Sequence, residues 1–127
     1  MTLQATAIML GVRDLARSKA FYEELGCTIQ QDYPTFVSLS LGEGSSSLAL
    51  YPREAAARDA GVPAEGSGFT GISFHHIVAS SEDVDAVIAS AVKAGGAIVK
   101  EASRTDWGYF GYFSDPDGYL WKVAASS

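Results

Sequence analysis

The sequence predicts an α+β fold made of two tandem βαβββ modules, and three observations lead there. Each half of the chain opens with an apolar run that passes into an amphipathic stretch ended by glycine. Each half then gives three short strand-like runs bounded by turn residues. A segment rich in Ala, Gly and charge separates the halves. The expected organisation is a single domain over residues 1–127, with module one at 1–51, a linker at 52–70 and module two at 71–127.

In module one, ATAIMLGV reads as a strand and DLARSKAFYEELG as a helix. Asp14 is placed to accept from free amides at the helix start, and Leu15, Phe21, Tyr22 and Leu25 lie near one another on a 3.6-residue wheel. Gly26 supplies the left-handed stop. TIQQDY, FVSLSL and SSLALY follow as strands, separated by Pro34 with Thr35 and by GEGSS. The linker PREAAARDAGVPAEGSG contains REAAARDAG, which suits a short helix.

Module two repeats the order. GISFHHIV is a strand, and SSEDVDAVIASAVKAGG is a helix in which Ser80 and Asp83 have capping-box spacing. Val84, Val87, Ile88, Ala91 and Val92 form its apolar stripe before Gly95. AIVKE, GYFGYF and YLWKVA are the three strands, the last two joined by SDPDG, whose Asp, Pro and Gly favour a tight reversal.

Composition sets limits on function. A chain of 127 residues with 47% hydrophobic content buries one core, or two small half-cores. No apolar run approaches the roughly 18 residues of a membrane span, and no basic segment precedes the first apolar stretch. Cys27 is the single cysteine, which leaves no intrachain disulfide and no thiolate cluster. The expected setting is the cytoplasm, without membrane association. With 9 Lys+Arg against 15 Asp+Glu, the formal charge of -6 repels phosphate backbones and argues against nucleic acid as a partner.

Two copies of one module imply internal duplication, and each copy has a sheet face it cannot cover alone. Either the two sheets curl together around a cleft within one chain, or they pair with the matching halves of a second chain.

Taken in order and spacing, GVRDLARSKAFYEELG, HHIVASSEDVDAVIASAVKAGGAIV and WGYFGYFSDPDGYLWKVA resemble the vicinal oxygen chelate superfamily, the glyoxalase/bleomycin resistance protein/dioxygenase family, over nearly the whole chain. The resemblance implies curled mixed sheets that form a cleft, and a homodimer. Metal-dependent members hold a divalent ion in that cleft through one ligand from the first strand and one from the last strand of each module, usually His or Glu. Carried onto this chain, those positions fall on Ala7, on Ala49 or Leu50, on His76 and on Lys122. Of these only His76 is a usual ligand, and Lys122 brings an ammonium to the place of a cation. The expectation is therefore no metal and no cofactor.

Successive strand residues point to opposite faces, so His75 and His76 do not share one ion. His76, with Phe74 and Val78, is expected to face the cleft and His75 the helix or an interface. On the last strand Leu120, Lys122 and Ala124 share one face, which the family phase turns inward. A five-residue turn would set Phe110 opposite Lys122 and Tyr112 opposite Leu120, whereas a one-residue slip would turn the Tyr109 and Phe113 set inward. The candidate ligand-binding residues are His76, Trp107, Tyr109, Phe110, Tyr112 and Lys122, with Tyr51 from the end of module one. Aromatic walls around one cationic head suit a flat or amphipathic anion.

The expected function is a metal-independent small-molecule-binding protein resembling the bleomycin-resistance branch, with its ligand in the sheet cleft. The ligands of that branch are cationic, which the net charge favours and Lys122 opposes. The alternative is an enzyme of the same family, a lyase, isomerase or dioxygenase, that uses His76 and Lys122 or an unrecognised metal site.

Overall fold

The computed structural model describes residues 5–60, 62–66, 70, 72–106 and 108–126. The chain forms two compact units, one reaching to Glu65 and the other starting at Gly66. Among the described residues no helix is long and apolar enough to cross a membrane.

The first unit runs β1 (Ala7–Val12), α1 (Leu15–Glu24), β2 (Thr28–Tyr33), β3 (Phe36–Ser40), β4 (Ser47–Pro52) and α2 (Arg53–Ala60). Its sheet has the order β1-β4-β3-β2, with β1 and β4 parallel and the other neighbours antiparallel. The Asp14 side chain caps α1 by accepting from the Arg17 amide at 3.0 Å, and Gly26 ends it at φ +97°. Leu10, Leu48, Leu50, Val37 and Leu39 are buried together with Phe21 and Tyr22 of α1, which meet edge to face at 5.0 Å. Each such side chain contributes about 1.5–3 kcal/mol by leaving water. The short helix expected in the linker is α2, which packs beside β1. A Cβ on Gly11 would come within 3.1 Å of the Arg53 Cα, so a side chain there would push α2 away by a few tenths of an ångström. Arg53 is fixed by donating from Nε to the Ala64 carbonyl at 2.6 Å.

The second unit runs β5 (Ser73–Val78), α3 (Ser81–Lys93), β6 (Ala97–Thr105), β7 (Gly108–Ser114) and β8 (Leu120–Ala125). The order β5-β8-β7-β6, with β5 and β8 parallel, repeats the first sheet position for position. Ser80 caps α3 by accepting from the Asp83 amide at 3.2 Å. Val84, Ile88 and Ala91 are buried, with Phe113 and Val123 of the sheet. Val92, expected in the stripe, is 41% exposed because it is rotated about 80° from Val84 around the helix, beyond the line that meets the sheet. Strand β6 runs on to Thr105, past the expected AIVKE, by means of register shifts after Ile98 and after Lys100. At Gly111 a Cβ would lie 2.8 Å from Ile88 Cδ1 and 2.9 Å from the Ala102 Cα, so α3 and β6 both crowd this point.

The turn between β7 and β8 is built on buried Asp115, whose Oδ1 accepts from the amides of Asp117 and Tyr119, each at 2.9 Å. Gly118 takes the left-handed backbone there, at φ +91°. This turn fixes the hairpin register. Tyr112 pairs with Lys122, Phe110 with Ala124 and Ser114 with Leu120. The expected inward set of Phe110 and Tyr112 thus shares the Lys122 face, shifted by two residues from the expected pairing.

Candidate ligand-binding face

Strand alternation divides the second sheet into two faces. Phe113, Trp121 and Phe74 form one row towards α3, with Phe113 and Trp121 stacked at 6.1 Å and the rings of Trp121 and Phe74 tilted at 4.7 Å. Val123, Gly111 and His76 belong to the same face. Turned away from α3 is a second row that crosses all four strands: His75 on β5, Lys122 on β8, Tyr112 on β7 and Lys100 on β6.

The expected orientation of the two histidines is therefore reversed. The parallel register sets His75 beside Lys122 and His76 beside Val123, which is buried on the helix side. His76 does not join Lys122. Tyr109 is also on the helix side, where its hydroxyl donates to Asp85 of α3 at 2.6 Å and Arg104 lies 5.5 Å from its ring centroid. That hydrogen bond, followed by partial desolvation and the Asp85 charge, raises the Tyr109 pKa above the usual phenol value. Tyr51 is in the first unit, meeting Phe36 edge to face at 6.1 Å. Trp107 lies outside the described residues.

What gathers beside Lys122 is an aromatic and cationic cluster. The Lys122 ammonium is 4.3 Å from the Phe110 ring centroid, and the Lys100 ammonium is 5.0 Å from the same centroid. Tyr112 meets Phe110 edge to face at 6.3 Å. At the other end of the row the His75 Nε2 is 3.1 Å from the Ser73 hydroxyl. Among the described residues no carboxylate pairs with either ammonium, whereas Lys19 pairs with Asp32 at 2.6 Å. Lys100, His75 and Ser73 were missed in the sequence. The signal for Ser73 and His75 is the helix cap: seven residues before Asp14 is Ala7, and seven before Ser80 is Ser73.

The duplicated registers also identify the positions equivalent to the family's ligand set. Met9 pairs with Ala49 as His75 pairs with Lys122, each the third residue of its strand. The carboxylate position of the first unit is therefore Ala49 and not Leu50, and the first-strand positions are Ala7 and Ser73. Two methyl groups, a neutral hydroxyl and an ammonium do not fit a dication, which needs imidazole or carboxylate donors. Among the described residues no three His, Cys, Asp or Glu side chains cluster as a metal site would require.

The sequence model of the Glyoxalase/Bleomycin resistance protein/Dioxygenase superfamily matches residues 4–123. A glyoxalase-related enzyme from Fulvimarina pelagi superposes with a TM-score of 0.87 at 28% identity, over 98% of this chain and 89% of that one. A glyoxalase/bleomycin resistance protein/dioxygenase family enzyme from Burkholderia phytofirmans PsJN gives 0.85 at 21% identity, over 98% and 100%. The hypothetical protein SA1046 from S. aureus gives 0.84 at 23% identity, over 98% and 95%. No curated protein matches the sequence.

Proposed function

Since the chain belongs to the glyoxalase/bleomycin resistance protein/dioxygenase superfamily, we propose that it is a metal-independent binding protein for a small anion with an aromatic or apolar body. The observation that carries this reading is the placement of two ammoniums, Lys100 and Lys122, against the ring of Phe110, with no carboxylate partner for either among the described residues. An aromatic anion would gain charge-assisted hydrogen bonds from the lysines and ring contact from Phe110 and Tyr112. The mode of action resembles that of the bleomycin-resistance branch, sequestration without turnover, but with a ligand of the opposite charge. The reading includes a cytoplasmic setting, which the single Cys27 fits, and a homodimer, as the family resemblance implies. A monomer at micromolar concentration in size-exclusion chromatography with light scattering overturns that part.

Calorimetric titration with benzoate and with benzylamine, matched in size and opposite in charge, tests the ligand class. Benzoate should bind and benzylamine should not, and Lys122→Ala should abolish the benzoate signal. Preference for the cation overturns the reading.

A second reading, catalysis, has one observation in its favour. His75 and Lys122 occupy paired positions on one face, the relation a base and an electrophilic partner need. This pair replaces the His76 and Lys122 pair expected from sequence. If an activity is found, His75→Ala should remove it and His76→Ala should leave it.

A further inference from the structure

We infer that the ligand of this face is a compact dianion, two carboxylates or one phosphate on an apolar body, with Lys100 reading the second negative charge. The inference rests on the anion-binding reading above and adds to it the number of charges.

Like charges brought to one ring repel each other, and the repulsion grows as water is excluded. Lys122 is half-buried and Lys100 is on the neighbouring side of Phe110's strand, yet their ammoniums lie 4.3 and 5.0 Å from the Phe110 centroid. Among the described residues neither has a carboxylate partner to offset its charge. A monoanion offsets one of these charges and leaves the other uncompensated. A dianion offsets both. The protein's formal charge of -6 does not do so locally, because interactions between exposed charges fade beyond roughly 8–10 Å at physiological salt.

Lys100 is on β6, at one edge of the sheet. Edge lysines also keep sheets from pairing edge to edge, but that role places the charge at the rim. Here the side chain reaches inward over the face, to the ring of a residue on β7. Phe110 thus holds two cations at one ring. The row continues through Tyr112 and Lys122 to His75 at its other end.

The test compares benzoate, isophthalate and phenyl phosphate by calorimetric titration against the wild type, Lys100→Ala, Lys100→Arg and Lys122→Ala. At least one of the dianions should bind about 10-fold or more tighter than benzoate in the wild type, one added charge-assisted contact being of that size. Lys100→Ala should abolish the preference, costing that dianion about 10-fold more than it costs benzoate, and Lys100→Arg should keep it. Tightening by isophthalate alone places the two charges on separate groups, and tightening by phenyl phosphate alone places them on one; both support the inference. If benzoate binds through Lys122 and neither dianion binds tighter, or if Lys100→Ala weakens all three probes alike, the dianion inference fails and the anion reading survives. If none of the three binds, both fail. Lys100 is exposed, so its substitution leaves the fold intact, which the melting temperature of each variant verifies.

Discussion

His75 and Lys122 are partners in the parallel pairing of β5 with β8, while His76, one residue on, is paired with buried Val123. One residue of register thus decides which histidine accompanies the lysine.

Lys122→Glu restores the residue type that metal-dependent relatives use at this position, but it should not create a metal site. Ala7, Ala49 and Ser73 still supply no imidazole or carboxylate. Zinc titration followed by calorimetry should show no stoichiometric binding to Lys122→Glu, and weak binding once Ser73→His is added. Stoichiometric zinc in the single variant would mean that the ligand positions lie elsewhere.

Gly111→Ala should destabilise the second unit by about 1–3 kcal/mol, the usual cost of overpacking. The added methyl meets both Ile88 Cδ1 and the backbone of Ala102. Ile88→Val therefore relieves only part of the loss. Urea unfolding of Gly111→Ala, Ile88→Val and the double variant measures the difference.

Asp115→Ala should cost about 1–3 kcal/mol, because two amides of the turn lose their acceptor in a buried place. Both bonds end on one oxygen, so Asp115→Asn should cost less. Equal losses in thermal unfolding would show that the negative charge, and not the acceptor geometry, holds the turn.

Alkaline pH should loosen the contact between β7 and α3. The Tyr109 pKa is raised in the folded state, first by its hydrogen bond to Asp85. Its stabilising contribution is therefore complete below the ordinary phenol value of about 10 and is lost as pH rises through the higher folded value. Tyr109→Phe should remove that part of the pH dependence and lower stability at neutral pH, where the hydrogen bond to Asp85 is intact in the wild type. An unaltered alkaline profile in the variant would refute the link.

Much of the fold was legible because each signal had a local cause. Asp14 and Ser80 cap their helices through side-chain oxygens, Gly26 and Gly95 end them with positive φ, and the two halves repeat one strand order. The candidate face around Lys122 was legible only in part. Lys122, Phe110 and Tyr112 stood out by type and do share a face, but their pairing depends on the Asp115 turn, which shifts the hairpin by two residues. His75 and His76 are adjacent and chemically alike, so only pairing with a strand 47 residues further on separates their roles. Lys100 was hidden by the register shifts of β6, which break the simple alternation that sequence reading relies on.

The order β5-β8-β7-β6 has a temporal meaning as well as a spatial one. The strand synthesised last in this unit is not at its margin but slots between the first and the third. Until β8 emerges, β5 has no neighbour in the sheet, and Lys122 is absent from the row it completes. A nascent chain can therefore form the β6–β7 hairpin early while the face that carries Lys122 remains unassembled. Competence for binding should arrive in a single late step, coincident with closure of the whole sheet.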